Sequence, residues 1–423
     1  MVQLLLDGLG GDRRRRRSNG PSPRGIECYH VNARVSKRLE DIGDFRPAKL
    51  LLLLWYCLEA IWVRFRHGAD HFYYVPAPGK KSALYRDWLV MLLCRPFFRR
   101  TILHWHAAGL AKWLETERQM RSRALTYRLM KGADLSIVLS RFNQPDAEKL
   151  LPRRVRVVGN GIPDPCPDFE RQVCPRHEAR AAARHKLLSG QPLSPADLAG
   201  AGGDPHLFRV LFLAHCTREK GLFDAVEAVA LANAQLSRDG SLLRVHLTVA
   251  GAFLRADEQA QFEQRLRAAD LQLAGPPSSP GPAVSGPAVH YVGFVTGEAK
   301  RRVFAESDCF CFPFHGPESF GLVVLEAMAF GLPIVTSRWR SIPELLPADY
   351  PGLVPPRAPE QVAEVIVRFA LTDRLPLLRE HFLRHFTLDH HLDNMAAALR
   401  ELEDGAPCPA AGQPALPARN TSK

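Results

Sequence analysis

The chain has 423 residues, of which 46% are hydrophobic and 24% charged. This length accommodates two domains with their own cores, and the composition excludes a largely disordered chain. The net charge of +12 favours anionic partners, such as phosphorylated small molecules or a lipid surface, although residues 13–17 alone carry five of the arginines. The nine cysteines include no Cys-x-x-Cys pair, which argues against a disulfide framework and a zinc site and predicts a reducing compartment.

Residues 1–25 are predicted to be a disordered basic tail. No aromatic residues alternate with its arginines, so nucleic acid is not an expected partner. No signal peptide is evident. The longest apolar run, residues 50–63, is shorter than the roughly 20 residues of a spanning helix, which predicts a core helix or one lying on a membrane surface near Lys49, Arg64 and Arg66. We expect a cytoplasmic protein, soluble or peripheral to the inner face of the membrane.

Strand and helix patterns alternate in residues 26–165, which predicts a parallel sheet with helices on both faces. The predicted strands are 72–75, 101–106, 134–140 and 154–158, and the predicted helices are 82–97 and 112–130. Residues 166–206, rich in Pro, Ala, Gly and charge, are predicted to be an interdomain linker or insertion with one helix.

The alternation resumes in residues 207–371, which predicts a second α/β domain. Its predicted strands are 208–215, 244–251, 289–295, 307–313, 333–337 and 352–356, and its predicted helices include 222–236, 258–271 and 359–371. The loop 275–287 is too rich in Pro, Gly and Ser for regular structure. Residues 372–403 are predicted to be helices returning to the first domain, and 404–423 a disordered tail. The fold class is therefore α/β, with two Rossmann-like parallel-sheet domains.

A short basic loop follows the first strand of the second domain. It carries Arg218 and Lys220, and Gly221 allows the turn into an amphipathic helix. In open parallel sheets, ligands bind where strand ends lead into helix N-termini, and N–H groups beside a lysine suit a diphosphate. Many such loops are simply solvated, so this signal alone is weak.

Two glutamates stand in "HGPESFGLVVLEAMAFGLPIVTS", residues 315–337, with seven residues between them. Glu318 is predicted to lie in a loop and Glu326 on the first turns of a helix that Gly331 ends, because only then do both reach one site. Carboxylates so placed suit sugar and ribose hydroxyls, since each accepts two hydrogen bonds. The alternative is a pair of solvated surface charges.

The Glu-x7-Glu spacing resembles the motif of retaining nucleotide-sugar glycosyltransferases with the GT-B fold, and most resembles glycosyltransferase family 4. "ILHWHAAGL", "VVGNGIPD", "LFLAHCTREKG", "LTVAG" and "VHYVGFV" precede the glutamates in the order typical of that family. The resemblance implies two domains facing a central cleft, and transfer of a hexosyl-type sugar from a nucleoside diphosphate to a glycan or lipid-linked acceptor with retention of configuration.

The resemblance also implies a role for each matching residue. Lys220 neutralises the leaving diphosphate, Glu318 faces the donor sugar, Glu326 grips the ribose, and His106 lines the acceptor side. The remaining donor-binding positions are the backbone N–H groups of Phe320, Gly321 and Leu322, the base-bordering Val292, Phe294 and Val295, and the phosphate-side His215 and Arg218. His104 is expected to be structural, on the face of the strand opposite to His106. No Asp-x-Asp motif is present, so neither a metal nor another cofactor is expected.

Two features depart from the resemblance. His215 stands where the family usually has an arginine, and residues 1–17 offer Gly-Gly without the strand, loop and helix that normally open the first domain. Two other hypotheses therefore remain: a nucleotide-sugar binder of the same fold with weakened catalysis, and a different GT-B enzyme, an epimerase or phosphorylase.

Overall fold

The computed structural model describes residues 2–14, 24–33, 47–77, 81–117, 119–274, 288–372 and 378–403. These residues form two compact units. The first comprises the chain up to Leu139, residues Asn143–Val158 and the chain from Leu392 onward, and the second comprises Ser140–Phe142 and Gly159–His391. The division therefore falls at Gly159, a few residues before the predicted boundary at residue 165.

The first unit contains a four-stranded parallel sheet in the order β1-β2-β3-β4. Its strands are β1 (His71–Tyr74), β2 (Arg100–Trp105), β3 (Leu135–Val138) and β4 (Val155–Val157). Its helices are α1 (Val2–Leu9), α2 (Pro47–His67), α3 (Lys81–Cys94), α4 (Leu110–Thr116), α5 (Met120–Met130) and α6 (Gln144–Glu148). Buried apolar side chains of β2, such as Leu103 and Trp105, pack with α3 in one core cluster.

The second unit contains a seven-stranded parallel sheet in the order β11-β10-β9-β5-β6-β8-β7. Its strands are β5 (Leu207–Leu213), β6 (Arg244–Ala250), β7 (Gln272–Ala274), β8 (Ala288–Gly293), β9 (Cys309–Phe312), β10 (Ile334–Ser337) and β11 (Leu353–Val354). Its helices are α7 (Cys174–Leu188), α8 (Pro195–Ala201), α9 (Leu222–Arg238), α10 (Ala256–Ala268), α11 (Gly297–Ala305), α12 (Leu322–Ala329), α13 (Pro359–Leu371) and α14 (Arg379–His385). A further helix, α15 (Leu388–Arg400), starts in the second unit and ends in the first. The inner strands β5 and β9 are almost entirely apolar and buried, as a sheet covered on both faces requires.

These two parallel sheets confirm the predicted α/β fold class. One predicted element differs, because residues 112–130 do not form a single helix. They belong to α4 and α5, and Glu117 between them has extended backbone. Each helix buries its own residues, Leu110 and Leu114 in α4 and Thr126 and Met130 in α5, while the intervening residues are polar. Packing of the two halves therefore decides the break.

The predicted N-terminal tail departs from the structure over its first part. Residues 2–9 form α1, whose Leu5, Leu6 and Leu9 are buried in the first unit. The reason is the cluster of leucines, which gives this short segment an apolar face. The rest of that tail, residues 15–23, and the predicted tail 404–423 lie outside the described residues, as does the loop 275–287.

Residues 166–206, predicted to be a linker, lie inside the second unit as α7 and α8. Two arginines of α7 are buried beside Asp308: Arg180 Nε lies 3.1 Å from its carboxylate and Arg184 Nη1 lies 3.9 Å from it. Arg209 contributes a third guanidinium, 3.5 Å away. Four charged groups so close to each other fix this segment against the start of β9, so it is part of the folded unit and not a tether.

No helix among the described residues is long and apolar enough to cross a lipid bilayer.

Candidate functional site

The order of the seven-stranded sheet defines one switch point. Strand β5 has β6 as its neighbour on one side and β9 on the other. The strands that follow β6 and those that follow β9 extend the sheet in opposite directions, and β5 and β9 are far apart in sequence although they are paired. At such a point the loops leaving the two strands diverge and leave a crevice at the carboxyl ends, which is where ligands bind in open α/β sheets. The loop after β5 carries Lys220, and the loop after β9 carries Glu318. The sheet topology thus brings these two predicted site residues to one edge.

The two loops approach each other closely through glycines. Gly221 has φ of 83°, and a Cβ there would lie 2.4 Å from the carbonyl oxygen of Pro313. A Cβ on Gly316 would lie 2.7 Å from that of Glu219. The carbonyl oxygen of Glu219 also accepts hydrogen bonds from the backbone N–H groups of His315 (3.0 Å) and Gly316 (2.9 Å). The absence of side chains at the two glycines therefore allows the loops to lock together backbone to backbone.

Lys220 and Glu318 form an ion pair across these loops. The Lys220 Nζ lies 2.6 Å from Glu318 Oε2, and the two side chains are 23% and 26% exposed. Lys220 is the last residue of a 3₁₀ turn, Arg218–Lys220, and Thr217 caps the start of this turn. The Thr217 hydroxyl accepts a hydrogen bond from the Lys220 backbone N–H (3.3 Å). The ammonium group also lies 6.0 Å from the ring centroid of Phe312. A fixed cation and a fixed carboxylate therefore stand side by side at the switch point, both within reach of solvent.

Glu326 lies in α12, one turn after its first residue, and has a partner that the sequence did not suggest. Lys300 of α11 places its Nζ 2.6 Å from Glu326 Oε1. The two residues line a cavity of about 380 Å³ together with Asp164, Arg301 and Phe304, among others. The only sequence signal for Lys300 was its position early in a helix that follows a predicted strand. Lys220 and Glu318 are not among the residues that line this cavity.

The N-terminus of α12 lies between the two glutamates. Gly321 precedes the helix with φ of 88°, and a Cβ there would lie 2.7 Å from Ile342 Cδ1, so both its conformation and its space require glycine. Phe320 is buried and Leu322 is 38% exposed. The first N–H groups of an α-helix have no acceptor within the helix, which leaves those of Gly321 and Leu322 without an intrahelical partner. The predicted role of these groups and of the Phe320 N–H toward an anion stays a prediction.

His215 and Arg218, predicted on the phosphate side, are both exposed. Arg218 is engaged elsewhere: its guanidinium donates to Gln261 Oε1 (3.0 Å) and lies 4.7 Å from the ring centroid of Phe223. The Arg218 guanidinium is therefore directed to α10, and its predicted role on the phosphate side stays a prediction.

The predicted base-bordering residues lie at the end of β8. Val292 is within the strand, Gly293 turns the chain with φ of 69°, and Phe294 is 71% exposed. Val295 is half-buried. An exposed phenylalanine ring next to a strand end offers a flat surface on which a planar base can stack.

A partly buried contact between His315 and Asp224 supports the Glu318 loop. His315 Nδ1 lies 3.7 Å from Asp224 Oδ2, where Asp224 stands in the first turn of α9. Burial raises the pKa of Asp224 and lowers the pKa of His315. Both shifts favour the neutral forms, so this contact is a packing element of the loop more than a charged pair.

His106 directly follows β2 in the first unit, and its ring centroid lies 4.1 Å from that of His104. The expectation that His104 points to the opposite face is wrong, because residues two apart in a strand share a face. His104 is buried, and its Nδ1 is hydrogen-bonded to the Tyr73 hydroxyl of β1. Residues on adjacent strands thus build one cluster, in which His104 is buried and Tyr73 and His106 are half-buried.

Among the residues that the structure describes, no group of three or more His, Cys, Asp or Glu side chains is placed to hold a metal ion. The expectation that no cofactor is needed stays a prediction.

Solved structures share this two-unit architecture. A HepE protein of Anabaena, crystallised with UDP and glucose, matches with a TM-score of 0.54 and 18% identity, over 84% of this chain and 83% of that one. A sucrose-phosphate synthase from Thermosynechococcus elongatus matches with a TM-score of 0.52 and 18% identity, over 86% of this chain and 81% of that one. These matches confirm the GT-B fold class.

One family model matches the second unit. Residues 208–371 match the model of the family Glycosyl transferases group 1. The predicted resemblance to GT-B glycosyltransferases is therefore confirmed over the residues that carry Lys220, Glu318 and Glu326. Retention of configuration and the assignment to family 4 stay predictions.

Curated relatives are glycosyltransferases by name. The amylovoran biosynthesis glycosyltransferase AmsK of Erwinia amylovora is 27% identical over 206 residues, 44% of this chain and 45% of that protein. A phosphatidyl-myo-inositol mannosyltransferase of Propionibacterium freudenreichii is 39% identical over 74 residues, 18% of this chain and 19% of that protein. The chain thus matches less than half the length of these relatives.

Proposed function

We propose that this protein is a glycosyltransferase that moves a sugar, of the hexosyl type, from a nucleoside diphosphate to a glycan or lipid-linked acceptor with retention of configuration. The family match supports the reaction class, and the Lys220–Glu318 pair at the switch point is the observation that carries the mechanism.

The polarity of this pair suits the reaction. Breaking the bond between the anomeric carbon and the diphosphate oxygen develops positive charge on the sugar and negative charge on the leaving group. Lys220 would meet the diphosphate oxygens, together with the N–H groups at the start of α12, and Glu318 would face the sugar. Because the two charges are already held 2.6 Å apart in interlocked loops, little reorganisation is needed when the bond breaks.

Nucleotide binding would follow from the neighbouring residues. Glu326 would accept hydrogen bonds from the ribose hydroxyls, which compete with Lys300 for its oxygens. The exposed ring of Phe294 would border the base. His106 remains a prediction for the acceptor side, and retention implies that the acceptor attacks from the face that the diphosphate leaves.

The alternative of a nucleotide-sugar binder with weakened catalysis is favoured by one observation. His215 is exposed and Arg218 is held by Gln261, so one cation that the family places beside the diphosphate is missing. Such a protein would bind a donor without consuming it.

A donor panel tests both proposals. The full chain is mixed with UDP-, GDP-, ADP- and dTDP-sugars, and its melting temperature and the release of nucleoside diphosphate are measured. A transferase is expected to be stabilised by one donor, because a ligand that binds only the folded state raises the melting temperature, and to hydrolyse it slowly without acceptor. Stabilisation without any release, even with acceptor extracts, supports the binder, and no stabilisation by any donor contradicts both.

A further inference from the structure

Helix α2 is apolar on two opposite faces. One face, with Leu53, Cys57 and Val63, is buried in the core of the first unit. The other carries five large apolar side chains in a single stripe, at spacings of four and three residues: Leu51 (68% exposed), Trp55 (64%), Leu58 (62%), Trp62 (53%) and Phe65 (70%). Residues so spaced lie on one side of a helix. This α2 stripe is exposed from Leu51 to Phe65.

The stripe continues beyond the helix. The ring centroid of Phe65 lies 6.1 Å from that of Phe97, which is 44% exposed. The Arg64 Nε donates to the Phe97 carbonyl (3.0 Å), which holds this loop against the end of α2. A contiguous apolar surface of this kind marks an interaction site, unlike single exposed leucines elsewhere.

The charges beside the stripe are predominantly positive. The acidic residues near it are already ion-paired: Glu59 with Arg14 (2.6 Å) and Asp70 with Arg64 (2.8 Å). Two further arginines, Arg66 at the end of α2 and Arg99 in the loop after Phe97, are exposed. Exposed arginines therefore flank the end of the stripe, while the carboxylates near it are neutralised by ion pairs.

We propose that the α2 stripe binds the surface of a lipid bilayer that contains anionic lipids. The stripe lies parallel to the bilayer, its tryptophans and phenylalanines reach the level of the headgroups, and the arginines contact lipid phosphates. Aromatic and leucine side chains opposite a buried face, next to basic residues, are the features of helices that lie in the interface.

A second copy of the chain fits this surface less well. Helix pairs in water use a narrow apolar seam flanked by charged residues that set the partner. Here the flanking positions include Leu52, Leu54 and Ile61, so the apolar arc is broad, and two of the five stripe residues are tryptophans. A bilayer accepts a broad arc and bulky aromatic groups without a matching partner surface.

This inference is independent of the proposed function, because binding to vesicles is measured without donor or acceptor. The full chain is sedimented with vesicles of phosphatidylcholine alone and of phosphatidylcholine with phosphatidylglycerol. We expect binding to both, stronger to the anionic vesicles and weakened by salt. The partition coefficient of the triple variant W55Q/L58Q/W62Q is expected to be roughly tenfold or more lower than that of the wild type with both kinds of vesicle. These three side chains would provide most of the apolar area that the bilayer buries.

A matched control removes exposed apolar residues elsewhere. Leu242 and Leu254 in the second unit are 61% and 62% exposed, so L242Q/L254Q removes exposed apolar surface outside the stripe and should bind vesicles like the wild type. The charge variant R66E/R99E is expected to lose roughly tenfold of its binding to the anionic vesicles and much less on phosphatidylcholine. Melting temperatures of all variants should stay near that of the wild type, because the changed residues are exposed.

Three results would overturn the proposal. The first is a wild-type chain that binds neither vesicle. The second is a stripe variant that binds as the wild type does. The third is a wild-type dimer that becomes monomeric in the stripe variant with no vesicle binding in either, which would assign the stripe to a second copy.

Discussion

Replacing Lys220 with methionine removes the cation at the switch point while keeping the length of the side chain. In the structure Lys220 makes one ion pair, with Glu318, and both side chains are about a quarter exposed. Partly exposed pairs contribute only about 0.2–1 kcal/mol to folding, because water already screens the two charges. The variant should therefore melt within a few degrees of the wild type.

The expected effect on catalysis is much larger. Removing one fixed donor to a developing negative charge typically reduces turnover by about 10²- to 10³-fold, which corresponds to roughly 2.7–4 kcal/mol. Comparing the change in turnover with the change in melting temperature decides the role of Lys220. Loss of a purely structural ion pair would lower activity through lower stability, whereas loss of a group that contacts the leaving diphosphate would lower turnover alone.

The assay measures release of nucleoside diphosphate from the donor that the panel identifies, together with the melting temperature. The control is Lys186→Met, which breaks a pair of similar geometry with Asp197 (2.7 Å) that joins α7 to α8. It should leave turnover unchanged. A loss of less than about threefold in the Lys220 variant, or a loss that the Lys186 variant shares, would refute the role given to Lys220.

The remaining predictions concern the ribose site, the loop lock and the buried cluster. Glu326→Gln should weaken nucleoside diphosphate binding about 10- to 100-fold, as expected for loss of hydrogen bonds to a charged group; calorimetry that gives an unchanged Kd would remove Glu326 from the ribose site. Gly221→Ala should destabilise the chain by at least about 1–2 kcal/mol, because φ of 83° is strained for alanine and its Cβ would meet Pro313; a stability equal to wild type in urea would contradict the lock. Asp308→Asn should cost about 3–5 kcal/mol, because it leaves buried guanidinium groups without their counter-ion; a loss below about 1 kcal/mol would show that the cluster is not a buried charge site. The same cluster predicts a pH effect. Burial by itself raises the pKa of Asp308, but the neighbouring arginines lower the pKa by more, so it lies below its ordinary value of 3.8. The stability from this group is thus present above 3.8 and lost as the pH falls below it, and thermal melts from neutral to acid pH should show a shallower decline in Asp308→Asn.

Local sequence patterns were sufficient to predict most elements of both sheets. Strands such as β5 and β9 are continuous apolar runs bounded by loop residues, and this pattern depends only on neighbouring positions. The position of Glu318 in a loop and of Glu326 in α12 also followed from local signals, since glycine stands at both ends of that helix. The edge of the sheet that carries the candidate site was predictable for the same reason.

Contacts between distant residues were not predictable from local patterns. The buried pairing of Arg180 with Asp308 spans more than a hundred residues, so the segment 166–206 has the composition of a linker although it belongs to the second unit. The pairing of Lys300 with Glu326 likewise depends on how α11 packs beside α12. The break between α4 and α5 carries no glycine or proline signal, because burial of each half decides it.

The α2 stripe shows a third limit. The sequence of residues 50–63 is apolar nearly throughout, and such a run does not reveal which side is buried. The structure assigns Leu53 and Cys57 to the core and leaves Trp55 and Trp62 in solvent. A run that the sequence assigns to a core helix or to a surface-lying helix is therefore a helix with two apolar faces.

The proposed function requires a nucleoside diphosphate in the crevice between β5 and β9, and a crystal structure of the full chain with the stabilising nucleotide would show whether it binds there. We expect diphosphate oxygens within hydrogen-bond distance of Lys220 and ribose hydroxyls on Glu326, with Lys300 displaced from that carboxylate. A nucleotide bound away from the carboxyl ends of these strands, with both ion pairs unchanged, would contradict it.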